Sequence, residues 1–123
     1  MILDSNIIIY SALPENEQLR EFIKENSPYV SSVSRVEVLG YPDIEDEDRD
    51  YFCGFFASAI VIPLETEIID GAIALRQKRR MSLGDALIAA TALQHNLDLV
   101  TRNTKDFKWI DSLTLINPFA EDE

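Results

Sequence analysis

The sequence predicts an α/β fold in which a mostly parallel sheet of four or five strands carries helices on both faces. Short apolar runs alternate with longer segments of helical periodicity along the whole chain, and this alternation is typical of strands joined by crossover helices. Pro14, Pro28 and Pro42 separate several of these segments, because proline ends helices and interrupts strands. The 123 residues, 46% of them apolar, are enough for one domain with its own core.

Five short runs are predicted as strands, because most of them are rich in branched apolar residues. In chain order they are residues 2–4, 29–32, 60–64, 98–101 and 114–117. The segments between them are predicted as helices, since their apolar residues recur every three or four positions. These are residues 5–13, 15–25, 34–40, 43–59, 65–80 and 84–95. Gly40 ends the third predicted helix, and Asn96 is expected as a left-handed cap after the last.

Composition limits the kind of protein further. No apolar run is long enough to span a membrane, and the N-terminus MILDSNIIIY lacks the basic start of a signal peptide, so we expect a cytoplasmic protein that does not contact the membrane. Cys53 is the single cysteine; it cannot form an internal disulfide and is expected to be buried. Residues 118–123 are expected to be a frayed tail.

The charge distribution is uneven. The net charge of −11 opposes binding to nucleic acid. Residues 76–108, however, contain seven basic and three acidic side chains, so a polyanion could dock there. Arg79, Arg80 and Arg102 are the candidate substrate contacts in this segment. The alternative is that this segment is only a solvated basic surface.

Four acidic residues stand where apolar segments end or begin: Asp4, Glu37, Asp85 and Asp106. Asp4 ends the first strand, Glu37 lies in the first turn of the helix after the second, and Asp106 follows the fourth. Sites in open α/β sheets form beyond the carboxyl ends of the strands, so these acids are expected at one edge. Clustered carboxylates favour a divalent cation such as Mg²⁺ or Mn²⁺, and such ions are used to hydrolyse phosphodiesters.

Helix capping is the alternative explanation of these acids. Ser34 with Glu37, and Ser82 with Asp85, have the spacing of a capping box, and Asp4 could cap the helix that follows it. Asp85 is harder to explain this way. The stretch ALIAATAL after it is apolar on nearly every side, so its helix should be buried and a carboxylate at its head needs a partner or an ion.

Three stretches resemble one known family: ILDSNIIIY, SSVSRVEVLG and SLGDALIAATALQHNLDLVTRNTKDF. They are similar to PIN-domain ribonucleases of the kind that serve as the VapC-type toxin in toxin–antitoxin pairs, and they occur in the right order over nearly the whole chain. The resemblance implies a single PIN-like three-layer α/β/α domain over residues 1–123. It also implies Mg²⁺- or Mn²⁺-dependent cleavage of RNA, a cognate antitoxin protein and a homodimer.

The resemblance also assigns roles to residues. It implies that Asp4, Glu37 and Asp85 hold the metal together with a residue of the segment TRNTKDF. The family's fourth acid often falls where Asn103 stands, while Asp106 matches a second common acidic position. We expect Asp106 to be the ligand and Asn103 to contact the ion through water. The small polar residues that match those lining the family's site are Ser5, Asn6 and Thr101.

Two other functions remain open at this point. A haloacid-dehalogenase-like phosphatase also begins with an aspartate after an apolar strand, but its chemistry needs a second aspartate two residues on, where this chain has Asn6. A degenerate PIN module could bind RNA or protein without cleaving it. Asn103 favours that alternative, and the acids at positions 4, 37 and 85 oppose it.

Overall fold

The fold is α/β, as predicted, with one sheet of parallel strands. The computed structural model describes residues 1–119. The strands are β1 (Ile2–Leu3), β2 (Tyr29–Ser31), β3 (Ile60–Ile62), β4 (Leu99–Val100) and β5 (Leu115–Ile116). Their order across the sheet is β3-β2-β1-β4-β5, and every neighbouring pair is parallel. The prediction of a mostly parallel sheet of four or five strands is therefore confirmed.

Six α-helices lie between and beside these strands in residues 1–119. They are α1 (Ser5–Ser11), α2 (Glu17–Asn26), α3 (Ser32–Leu39), α4 (Asp46–Ser58), α5 (Thr66–Lys78) and α6 (Leu83–Gln94). A short 3₁₀ turn, Thr104–Asp106, follows β4. All six helices were predicted, with ends that differ by a few residues. Asn96, just after α6, has the expected left-handed backbone with φ of 53°. None of the helices in this part of the chain is long and apolar enough to cross a membrane.

Strand alternation divides the core into two halves. Ile2 and Leu3 of the central strand are both fully buried, but successive side chains of a strand point to opposite faces. Ile2 packs in a cluster with residues of α5 and α6. Leu3 packs in a second cluster with residues of α1, α2 and α4. The sheet is therefore covered by helices on both faces, which gives three layers.

Helix α6 is the most deeply buried helix. Every residue from Ala86 to Ala92 is buried, as its all-round apolar sequence predicts. Its closest partner is α5, and a Cβ added to Gly71 of α5 would lie 3.3 Å from the Cβ of Ala90. This packing fixes the position of α6 and therefore of Asp85 in its first turn.

Three details differ from expectation. Cys53 is exposed, because it lies on the outer side of α4 while Phe52 and Phe56 take the buried positions. Glu37 lies in the second turn of its helix, since α3 begins at Ser32 and is capped by Ser31, whose hydroxyl accepts from the N–H of Val33. Phe119, in the tail expected to fray, packs edge-on against Tyr10 with ring centroids 5.8 Å apart; residues 120–123 lie outside the described residues.

Candidate metal centre

Asp4 lies at the carboxyl end of β1 and is only 5% exposed. Its Oδ1 accepts a hydrogen bond of 2.9 Å from the N–H of Ile7, so it caps α1 as the alternative explanation predicted. Its Oδ2 accepts a bond of 2.6 Å from the hydroxyl of Thr101, which follows β4 and is fully buried. Asp4 therefore joins the ends of two neighbouring strands, which capping alone does not require.

Glu37 reaches the same edge from α3. The hydroxyl of Ser5 donates to Oε1 of Glu37 at 2.7 Å, and the Ser5 Oγ lies 2.9 Å from the Oγ of Ser34. Ser34 is fully buried and does not cap a helix. The proposed capping box of Ser34 and Glu37 is therefore wrong, because the helix begins before Ser34 and the glutamate turns towards α1 instead.

Asp85 occupies the first turn of α6. Ser82 caps the helix by accepting the N–H of Asp85 at 3.1 Å, so this half of the predicted capping box forms. The aspartate is half-buried, and the positive end of the helix dipole favours its charged form. Capping explains Ser82, but the charges of Asp106 and Glu37 also act on the carboxylate of Asp85.

The charges of these acids affect one another. Burial raises the pKa of Asp4 above its usual 3.8, against the hydrogen bonds from Thr101 and Ile7, and the charges of Asp85 and Glu37 raise it further. Burial also raises the pKa of Asp85, against hydrogen bonding with Ser82, and the charges of Asp106 and Glu37 add to the rise. The four acids predicted from the sequence are therefore close enough for their charges to interact. Asp106 acts on Asp85, and its charge affects Asp85 more than that of Glu37 does.

Asn103 and Asp106 form a pair beyond β4. The amide Nδ2 of Asn103 donates to Oδ2 of Asp106 at 3.0 Å. The backbone N–H of Asn103 donates to the Thr101 hydroxyl oxygen at 3.1 Å, which in turn donates to Asp4. Asn103 is thus connected to Asp4 through Thr101, and Asp106 is connected to Asp4 through Asn103 and Thr101.

The acids are neighbours, but their side chains are not gathered tightly enough to form a metal site as they stand. Within residues 1–119, no group of three or more His, Cys, Asp or Glu side chains is arranged as a ready-made metal site. The donor set nevertheless fits a hard divalent cation, because it consists of carboxylate oxygens. Burial is the largest cause of the raised pKa values of Asp4 and Asp85, and a bound cation would offset the smaller contribution of repulsion between the acids.

A polar cavity of about 320 Å³ opens beside Asp4. Its lining includes Asn6, Arg102 and Asn103, all predicted from the sequence, and also Tyr10. The guanidinium of Arg102 lies 5.6 Å from the ring centroid of Tyr10 and 4.3 Å from that of Phe119, which are cation–π distances. Arg102 is therefore held next to the acids by two aromatic rings.

The other two predicted basic contacts lie after α5. Arg79 is exposed and stacks over the ring of Trp109 at 5.7 Å. Arg80 is also exposed. Neither residue lines the cavity beside Asp4, and their role as substrate contacts stays a prediction. Arg79 is connected to the site through Trp109, whose indole N–H donates to the carbonyl of Asp106.

Sequence reasoning missed two residues that contact the site. Gly84 lies against the carboxylate of Glu37: a Cβ added to the glycine would be 2.8 Å from Cδ and 2.9 Å from Oε1. The signal was a glycine in the first turn of a helix, where it lowers helix stability. Tyr10 was missed because an aromatic residue at the end of an apolar helix is ordinarily a core residue.

Known proteins resemble this chain over nearly its whole length. The chain is 30% identical to ribonuclease VapC of Rickettsia bellii in an alignment of 132 positions, which covers 94% of each protein. It is 28% identical to ribonuclease VapC1 of Rickettsia felis in an alignment of 134 positions, which covers 99% of this chain and 98% of the other.

Solved structures also resemble this chain over nearly its whole length. A toxin–antitoxin complex from Klebsiella pneumoniae contains a chain that is 28% identical, with a TM-score of 0.76 over 96% of this chain and 97% of the other. DNA-bound VapBC of Salmonella typhimurium has a TM-score of 0.84 at 21% identity, over 95% and 96% of the two chains, and supports the fold alone. The resemblance read from the sequence is confirmed. The PIN domain model matches residues 1–113, and the chain belongs to the PIN domain family.

Proposed function

We propose that this protein is an Mg²⁺- or Mn²⁺-dependent endoribonuclease and the toxin of a toxin–antitoxin pair. The observation that carries the proposal is the approach of Asp4, Glu37 and Asp85 to one another. They come from three separate segments of the chain. Ser5, next to Asp4, donates to Glu37, and Gly84, next to Asp85, lies against the same carboxylate. Burial raises the pKa of Asp4, and the charges of the other two acids add to the rise. A fold gains no stability from such repulsion, so the arrangement favours a role for a cation at this edge.

The surrounding residues suit a metal-binding site. The N–H of Ile7 and the hydroxyl of Thr101 both donate to Asp4 and so favour its ionised form. Ser5 donates to Glu37, and the first turn of α6 supports the charge on Asp85. Asp106 is our choice for the fourth ligand, with Asn103 donating to it. A divalent ion bound by these carboxylates would polarise the attacking water and offset charge on the scissile phosphate.

The substrate proposal rests on the cavity beside Asp4. Arg102 supplies a positive charge at its wall, and Asn6 and Asn103 supply amide groups that can bind the backbone or bases of RNA. The relatives named ribonuclease support RNA over other phosphodiesters. The only histidine, His95, lies at the far end of α6 beside Glu65, so this site contains no imidazole base.

The partner proposal rests on the comparisons. A chain 28% identical to this one occurs in a toxin–antitoxin complex, and a cognate antitoxin protein is therefore the partner that we propose. A homodimer is a further prediction from the family resemblance. A degenerate module that binds RNA without cleavage is the competing function, with Asn103 in its favour.

Cleavage of a defined single-stranded RNA tests the proposal. Purified protein should cleave it with Mg²⁺ or Mn²⁺ and not with EDTA. Asp85→Asn should abolish cleavage while the protein stays folded. Asp98→Asn is the matched control, because Asp98 is an exposed acid before β4, at the opposite end of that strand. RNA binding without metal-dependent cleavage by the wild-type protein would contradict the proposal and favour the degenerate module.

A further inference from the structure

The carboxylate of Glu37 is held by residues that do not belong to its own helix, α3. Glu37 is exposed, and an exposed glutamate has three side-chain torsions that are normally free to vary. Here one oxygen is bound by the hydroxyl of Ser5 at 2.7 Å, and the other lies against the backbone of Gly84. The side chain is thus held from two directions, by α1 and by α6.

The hydrogen bonds from Ser5 have a defined direction. A serine hydroxyl carries one proton, and Ser5 donates its proton to Oε1 of Glu37. The Ser34 hydroxyl, 2.9 Å from the Ser5 oxygen, must therefore donate to Ser5. The result is a chain of donors from Ser34 to Ser5 to Glu37, in which each bond strengthens the next.

Ser34 has no other evident task. It is fully buried, and among residues 1–119 its hydroxyl has Ser5 as its hydrogen-bond partner. It lies in the first turn of α3, but Ser31 is the residue that caps this helix. The Ser34 hydroxyl neither caps a helix nor bonds to the backbone. Its role is therefore best explained by its bond to Ser5, which orients the Ser5 hydroxyl.

Gly84 limits the position of Glu37 from the other side. Any β-carbon at position 84 would overlap the glutamate carboxylate, lying 2.8 Å from Cδ and 2.9 Å from Oε1. The group in the way is the end of a flexible, exposed side chain. A larger residue at position 84 would therefore displace the Glu37 carboxylate and leave the backbone of α6 where it is.

We propose that Ser34 and Gly84 are positioning residues that together set the Glu37 carboxylate towards Asp4 and Asp85. Ser34 acts through the Ser5 hydroxyl, and Gly84 acts by leaving space for the carboxylate beside α6. The inference rests on the proposed function, because it takes Glu37 as a metal ligand. Removing a residue that orients a metal ligand commonly changes metal affinity 10–100-fold.

Mn²⁺ binding to the full-length, RNA-free protein tests this role without any measurement of activity. Free Mn²⁺ is measured by electron paramagnetic resonance in titrations of the wild type, Glu37→Gln, Ser34→Ala and Gly84→Ala. We expect Ser34→Ala and Gly84→Ala each to weaken Mn²⁺ binding about 10-fold. In the Glu37→Gln background, Ser34→Ala should cause no further loss, because the carboxylate that it orients is gone.

Two control variants separate positioning from stability. Ser11→Ala removes another fully buried hydroxyl, one that donates to the carbonyl of Ile8. Gly54→Ala fills a helical glycine position that has open space around it. Both should leave Mn²⁺ affinity at the wild-type value. Gly84→Ala should also melt no lower than the wild type, since alanine favours helix more than glycine does.

The outcomes are distinguishable. Wild-type Mn²⁺ affinity in Glu37→Gln would remove Glu37 from the metal site, and with it both this inference and the ligand set of the proposed function. A loss of affinity in Glu37→Gln, with wild-type affinity in Ser34→Ala and Gly84→Ala, would overturn the positioning role alone. If Ser34→Ala does not fold, Gly84→Ala decides the question by the same titration.

Discussion

The hydrogen bond from Thr101 to Asp4 is the side-chain link between β4 and β1 at the candidate site. Thr101→Val removes it with almost no change in shape, and it also removes the oxygen that accepts the N–H of Asn103. Both residues are buried, and the bond is 2.6 Å long. A hydrogen bond to a charged group contributes about 1.5–3 kcal/mol. At about 4 °C per kcal/mol for a chain of this size, the melting temperature should fall by roughly 6–12 °C at pH 8.

The loss should depend on pH. Burial raises the pKa of Asp4 above 3.8, and the Thr101 hydrogen bond lowers it, so Thr101→Val raises it further. A carboxyl whose folded pKa is raised loses stability as pH rises through that pKa. The free energy of unfolding of the variant should therefore lie furthest below that of the wild type at pH 8. The difference should shrink as pH falls towards the pKa of Asp4. Below it, only neutral hydrogen bonds of about 0.5–1.5 kcal/mol each are missing: the one to Asp4 and the one from the N–H of Asn103.

The assay is thermal unfolding with EDTA between pH 8 and 5, above the isoelectric point of about 4.4. Thr91→Val is the matched control, because Thr91 is equally buried and donates to the uncharged carbonyl of Leu87 at 2.7 Å. That variant should lose less stability, by an amount that does not change with pH. Equal and pH-independent losses in the two variants would show that the Thr101 bond does not support a charged Asp4.

Three further predictions concern the metal and the RNA. Asp106→Ala should weaken Mn²⁺ binding in a metal titration more than Asn103→Ala does, and the reverse ranking would move the fourth ligand to Asn103. Removing the charges of Arg79 and Arg80 together should flatten the salt dependence of RNA affinity by about 0.7 unit of slope for each phosphate that these arginines bind; an unchanged slope would make both residues plain surface. Mg²⁺ or Mn²⁺ should raise the melting temperature of the wild type by mass action and not that of Asp85→Asn, whereas equal shifts would indicate loose binding elsewhere.

The order of strands and helices could be predicted because local patterns decide it. The short runs ending in Asp4 and Thr101 have the branched apolar residues of buried strands, and α6 is apolar on every side. Helix ends were predicted less well. The sequence has serines at both 31 and 34, and only the structure shows that Ser31 is the cap, because its hydroxyl accepts from the N–H of Val33.

The acidic residues of the site could also be predicted, because parallel strands place their carboxyl ends at one edge. Their individual contacts could not. The approach of Gly84 to Glu37 depends on how α6 packs against its neighbours, and the stacking of Arg102 on Tyr10 and Phe119 joins distant parts of the chain. Cys53 was wrongly placed in the core because the run YFCGFF is apolar throughout, so its periodicity does not show which side of α4 faces outward.

An anomalous difference map from crystals grown with Mn²⁺ would locate the ion without reference to activity. We expect a peak at the carboxyl edge of the sheet, coordinated by oxygens of Asp4, Glu37 and Asp85. A peak confined to the acidic segment of residues 43–50, or no peak beside Asp4, would contradict the proposed metal site.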